Sequence, residues 1–167
     1  MRFSVLVPET EELLEGEPEE AASENARRKA LSIARVHRDA PVLGVDTVVC
    51  IDRRIYGKPR DPERARETLS ALSGRTHAVI SGLCLLGPED SHTTAVTTLV
   101  EFRALDERLV DWYVATGEWR DRAGGYAIQG RGAALVKAIE GDYFNVVGLP
   151  VATLLDIAPW LLATSSG

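Results

Sequence analysis

Apolar and polar positions along this chain change period several times, and each change marks an element. Residues 2–8 alternate with period two through Phe3, Val5 and Val7 and stop at Pro8, the pattern of a short strand. Residues 9–20 carry seven glutamates in twelve positions and read as a solvated acidic loop, within which Pro18 can open a helix. Over residues 19–38 the period becomes helical, with Ala22, Ala26, Ala30, Ile33 and His37 recurring at spacings of three and four. Lys29 falls inside that stripe, whereas Arg27 and Arg28 fall on other faces. Pro41 ends the helix, and residues 42–51 follow as a β-branched run too apolar for an exposed edge, which predicts a central strand.

Residues 52–54 form a turn, Ile55 and Tyr56 return briefly, and Gly57-Lys58-Pro59 leaves the sheet. Asp61-Pro62-Glu63 supplies an N-cap, a proline at the first helical position and an acid at the positive end of the dipole, and Gly74 closes that helix after Leu72. Residues 76–86 and 94–102 predict two strands joined at 87–90 as an antiparallel hairpin. Asp106 caps a helix reaching Thr116, a glycine-rich charged stretch fills 117–132, residues 133–139 predict a strand, and residues 151–162 a last helix. The alternation of strands and helices without internal repeats predicts one domain over residues 1–167, of α/β class, with an elongated mixed sheet flanked by helices.

Composition narrows the function. With 45% hydrophobic and 26% charged residues in 167, the chain is outside the disordered, collagenous and disulfide-dense classes. Nineteen Lys and Arg against 25 Asp and Glu give a net charge of -6, so neither nucleic acid nor an anionic membrane is an expected partner. An anionic ligand would need a local basic cluster or a metal. The longest apolar stretch, 146–163, is broken by Pro150, Asp156 and Pro159 and falls short of the roughly 20 residues of a membrane span. No signal peptide is expected, and the two cysteines, Cys50 and Cys84, fit reduced thiols, so the expected compartment is the cytoplasm.

Asp46 is the most informative residue, because it interrupts a Val, Leu and Ile run in which an unpaired carboxylate would cost several kcal/mol to bury. Such an acid is paired, metal-bound or catalytic, or it caps a turn at the strand's end. Lys29, on the small-residue stripe, faces the body of the protein or snorkels along the alanines. Lys58, between Gly57 and Pro59, has a fixed backbone and a mobile ammonium. The stretch Gly124-Gly125-Tyr126-Ala127-Ile128-Gln129-Gly130 suits a loop that approaches a ligand closely or one that simply faces solvent. Dinucleotide and P-loop glycine motifs are absent, His37, His77 and His92 lack metal-ligand spacing, and no serine-hydrolase elbow occurs.

Five blocks in order, Gly44-Val45-Asp46-Thr47-Val48-Val49, Gly57-Lys58-Pro59, Leu72-Ser73-Gly74-Arg75-Thr76-His77, Ala123-Gly124-Gly125-Tyr126-Ala127-Ile128-Gln129-Gly130 and Gly141-Asp142-Tyr143-Phe144-Asn145-Val146-Val147-Gly148-Leu149-Pro150, resemble the Maf family of nucleoside triphosphate pyrophosphatases, first named for an association with septum formation. The resemblance implies a fold like the inosine triphosphate pyrophosphatases and hydrolysis between the α and β phosphates with a divalent metal, Mg²⁺ or Mn²⁺. It makes Asp46 the catalytic proton acceptor and a metal ligand, Lys29 and Lys58 phosphate-binding residues, and Thr47 and Gln129 positions of base selection, in the branch acting on dTTP and UTP. Family members open with a Ser-x-Ser-Pro-Arg-Arg loop between a strand and a helix, and this chain begins at what resembles the family's second strand, about twenty residues later. The open sheet edge this implies favours association, as in a homodimer, or instability. The alternative reading is a non-catalytic nucleotide-binding or division-related interaction module. A metal-dependent phosphatase releasing single phosphates is a third.

Overall fold

The computed structural model describes residues 3–8, 10–37, 40–87 and 90–162. Five strands form one sheet in the order β2-β1-β3-β4-β5: β1 (Val42–Ile51), β2 (Arg54–Tyr56), β3 (Thr76–Leu86), β4 (Ser91–Phe102) and β5 (Val136–Glu140). Among the described residues five α-helices flank it: α1 (Pro18–Ala34), α2 (Pro62–Leu72), α3 (Glu107–Ala115), α4 (Tyr143–Val147) and α5 (Val151–Ile157). The α/β class with flanking helices is as expected, although all four described strand pairings are antiparallel where a mixed sheet is predicted.

Side chains alternate across β1, so Gly44, Asp46 and Val48 face one layer and Val45, Thr47 and Val49 the other. Helix α1 covers the first layer. It can do so because glycines stand beneath it. A methyl group at Gly44 would lie 2.2 Å from the carbonyl oxygen of Ala26, and one at Gly82 on β3 would lie 2.2 Å from that of Ala22. The helix answers with its own smallest residues, Ala22, Ala26 and Ala30, all buried. On the second layer, Leu69 and Leu72 of α2 and Val110, Tyr113 and Val114 of α3 close the main core with Val49, Val79, Val100 and Phe102. Asp61 caps α2 through Arg64 N at 2.8 Å and Asp106 caps α3 through Leu109 N at 2.8 Å, the ends expected from the sequence.

Several sequence expectations are corrected. Residues 3–8 form no strand: Phe3, Val5 and Val7 are 77%, 78% and 90% exposed, and an alternating segment without a partner ladder has nothing to hold it extended in a sheet. Arg2, Arg38, Pro88 and Glu89, on which parts of the first strand, first helix and hairpin turn were placed, lie outside the described residues. Strand β1 is internal but not central, since its outer side pairs with β2 only at Val49, Cys50 and Ile51. Its apolar residues are covered by the layers above and below rather than by flanking strands. A 3-10 turn (Arg131–Leu135) delays β5, and Pro159 divides the last predicted helix into α5 and a 3-10 turn (Pro159–Leu162). Helix α4, capped by Asp142 through Phe144 N at 2.7 Å, is an element the hydrophobic pattern does not predict. Among the described residues no helix is long and apolar enough to cross a membrane.

His77 sits in the second layer, 1% exposed, its Nε2 2.9 Å from the Tyr126 hydroxyl and its ring edge-on to Phe102. Burial pushes its pKa down from 6.5 to about 4, so it is neutral in the fold. The unfolded chain takes up a proton there below pH 6.5 and the folded chain does not until about pH 4. Stability from this group is therefore present above that window and is expected to fall by about 3 kcal/mol as the pH drops through it. Urea melts at stepped pH should show this slope, and His77→Gln should flatten it. Replacing Gly44 by Ala should cost about 1–3 kcal/mol by the same melts, because helix backbone rather than a flexible side chain must yield.

Candidate active site

Strand β1 presents Asp46, 3% exposed, to α1. One turn of α1 brings two polar side chains to it. Lys29 Nζ donates to Asp46 Oδ1 at 2.5 Å, and Asn25 Nδ2 donates to Asp46 Oδ2 at 2.9 Å, so both carboxylate oxygens are occupied. Asn25 also grips the acidic loop: its Nδ2 donates to Leu13 O at 3.1 Å and its Oδ1 accepts from Leu13 N at 2.8 Å. Pinning Leu13 places its neighbour Glu12, whose Oε1 accepts from Lys29 Nζ at 2.8 Å and Lys58 Nζ at 2.7 Å. The result is a chain of alternating charge, Asp46, Lys29, Glu12, Lys58.

Burial disfavours the Lys29 ammonium, but the hydrogen bonds and charges of Asp46 and Glu12 outweigh it and hold its pKa above the ordinary lysine value. Burial likewise disfavours ionised Glu12, and the two lysines overcome that and hold its pKa below the usual carboxylate range. Each group is thus kept charged by its neighbours. Removing Lys29 would leave the buried Asp46 carboxylate without its counter-charge, at a cost of several kcal/mol.

Three members of this chain of charges, Lys29, Asp46 and Lys58, line a cleft. Lys29, Asp46 and Lys58 border it together with Thr47 and Gln129, so all five residues singled out from the sequence meet around one space. Val45, Asp46 and Thr47 of β1 border the cleft where no described strand pairs with them on the side away from β3, which is how neighbours on opposite layers, Asp46 and Thr47, both reach it. The cleft is also lined by the uncharged Thr47, Gln129, Tyr126, Val146, Val147 and Gly148 and by the charged Asp121 and Arg122. Gln129 is delivered by the glycine loop. Gly124 adopts a left-handed φ of 66°, and a methyl group there would lie 2.7 Å from Val49 Cγ2, so the loop seats directly on β1. Tyr113 anchors the same loop by accepting from Ala127 N at 2.9 Å, and burial pushes its phenol up to about 12.

Sequence reasoning missed Glu12, Asn25 and Arg122. Nothing in the acidic run distinguishes Glu12 from the other glutamates. Asn25 carried a usable signal, a polar residue four positions before Lys29 beside the alanine stripe. Arg122 borders the cleft after Asp121, a non-glycine residue at φ 59°, a backbone position that sequence composition does not reveal.

A cleft lined by Lys29, Lys58 and Arg122 beside Asp46 and Asp121, and by uncharged side chains such as Thr47, Tyr126 and Gln129, suits a polyanion carrying an uncharged ring. Residues 1–158 match the family described as Maf-like protein. The chain is 44% identical over 147 residues to a dTTP/UTP pyrophosphatase of Pyrococcus furiosus, covering 88% of this chain and 77% of that one. It is 48% identical over 143 residues to the dTTP/UTP pyrophosphatase of Thermococcus kodakarensis, covering 85% and 76%. A third of the same name, from Clostridioides difficile, is 44% identical over 161 residues, covering 94% and 83%. With a match across that span and relatives this similar, the chain belongs to the Maf family.

Proposed function

We propose that this chain hydrolyses dTTP and UTP between the α and β phosphates, giving the nucleoside monophosphate and pyrophosphate. The observation that carries the reading is the meeting, around one cleft, of the charged side chains Lys29, Asp46 and Lys58, suited to a triphosphate, with the uncharged Thr47 and Gln129, suited to a base. The activity named for the relatives supports the same assignment.

A divalent cation, Mg²⁺ or Mn²⁺, would be held by Asp46 and Glu12 in exchange for their bonds to Lys29, since among the described residues no cluster of three or more metal-ligating side chains occurs. Glu12 and Asp46 both hold Lys29 Nζ, at 2.8 and 2.5 Å, which brings two carboxylates near each other, and Mg²⁺ is usually held by one or two carboxylates together with substrate phosphates. When bound, such an ion supplies Lewis acidity to the phosphates and to the attacking water. Asp46 orients that water and takes its proton. The water oxygen bonds to the α-phosphorus, the bond from that phosphorus to the bridging oxygen breaks, and pyrophosphate leaves with its charge met by Lys29 and Lys58. Asn25 keeps the Asp46 carboxylate from turning, by holding the oxygen that Lys29 does not.

Product analysis tests the reaction class. Incubation with dTTP or UTP and Mg²⁺ should yield monophosphate and pyrophosphate in equal amounts without direct orthophosphate. Orthophosphate as first product would identify a phosphatase instead, and binding of a nonhydrolysable dTTP analogue without turnover would identify a binding module. Asp46→Asn, which keeps the side chain's shape, should lower kcat by a factor of about 10²–10⁴ with an ordered fold. A rate within tenfold of the parent would remove Asp46 from the mechanism.

A further inference from the structure

The reaction above uses Asp46 and leaves the hydroxyl of its neighbour Thr47 without a stated task. Thr47 Oγ1 lies 2.8 Å from Ser81 Oγ, its cross-strand partner on β3, and Ser81 Oγ lies 3.3 Å from the main-chain carbonyl of Asn145 in α4. Ser81 is wholly buried, and among the described residues these two oxygens are the hydrogen-bond partners of its hydroxyl. The carbonyl is a fixed point. Asn145 is itself wholly buried, its Nδ2 within 3.0–3.1 Å of Val79 O, Val96 O and Thr98 Oγ1.

A carbonyl accepts and never donates. The arrangement that makes both hydrogen bonds therefore sends the Ser81 proton to Asn145 and the Thr47 proton to Ser81. Reversing the direction breaks the bond to the carbonyl and turns the Thr47 proton out toward the cleft. In a buried network the fully bonded direction prevails. Thr47 then presents only lone pairs to the space it borders with Gln129.

We propose that Ser81 is a positioning residue for base selection: it fixes the Thr47 hydroxyl as an acceptor, so that the site takes a base presenting a ring N–H there. Uracil and thymine do so at the imide nitrogen. Cytosine presents a bare ring nitrogen at the same place, which would meet Thr47 lone pair to lone pair or force the network to reverse. The inference rests on the nucleotide reading above and adds to it the residue that sets the polarity of the contact.

The test compares kcat/KM for UTP and CTP in the parent, Ser81→Ala and Ser81→Thr. The parent should favour UTP, Ser81→Ala should narrow the UTP to CTP ratio about tenfold, and Ser81→Thr, which keeps the hydroxyl, should restore it. A packing role alone would lower both rates together, so an unchanged ratio in a folded Ser81→Ala protein overturns the inference. If that variant does not fold, 3-methyl-UTP, which lacks the ring N–H, decides with the parent protein. A tenfold or greater loss relative to UTP, with 5-methyl-UTP unaffected, supports the inference, and equal turnover overturns it. Failure of the underlying nucleotide reading is distinguishable, because the parent itself would then turn over neither UTP nor dTTP.

Discussion

Helix α1 rests on the sheet with its backbone nearly touching two glycines, Gly44 and Gly82, and the site depends on that approach. Lysine and asparagine side chains are long enough to reach many places, but only a helix seated this low puts Lys29 and Asn25 on the two oxygens of one buried carboxylate. Ala22, Ala26 and Ala30 make the contact from the helix side. The interface gains little hydrophobic area from such small residues. What it gains is registry, since neither partner can slide without backbone striking backbone.

That registry turns a costly arrangement into a stable one. A carboxylate among valines would be expensive to bury alone. Here Lys29 meets it, Glu12 meets Lys29, and Lys58 meets Glu12, so the formal charges of the four residues cancel. Glu12 reaches its place only because Asn25 binds the backbone of Leu13. One amide thus joins the acidic segment, the helix and the strand, and a loop that composition describes as solvated is tied to two lysines that line the site.

Much of this was legible in the sequence where a local rule decides the outcome. Asp46 stood out because it breaks an apolar run, α2 because Asp61 and Pro62 are a capping pair, and Lys29 because it falls on a stripe of small residues. Thr47 and Gln129 were legible only through family resemblance, since a lone threonine and a lone glutamine carry no period or spacing. Other features depend on partners far away in the chain. Phe3, Val5 and Val7 have a strand's period but no ladder among the described residues, and the start of β5 is set by a 3-10 turn that no simple periodicity signals. Glu12 was invisible because its importance lies in where two lysines end up, 17 and 46 residues later.

The outer side of β1 over residues 42–48 has one further consequence. In an antiparallel pair, alternate residues direct their main-chain N–H and C=O groups away from the partner, and along β1 those directed away from β3 have no described strand to receive them. Where Val45, Asp46 and Thr47 border the cleft, a ligand can therefore be held by peptide groups as well as by side chains. Such contacts survive every side-chain replacement, so alanine scanning would undercount what this strand contributes, whereas replacing a single amide linkage by an ester would expose it.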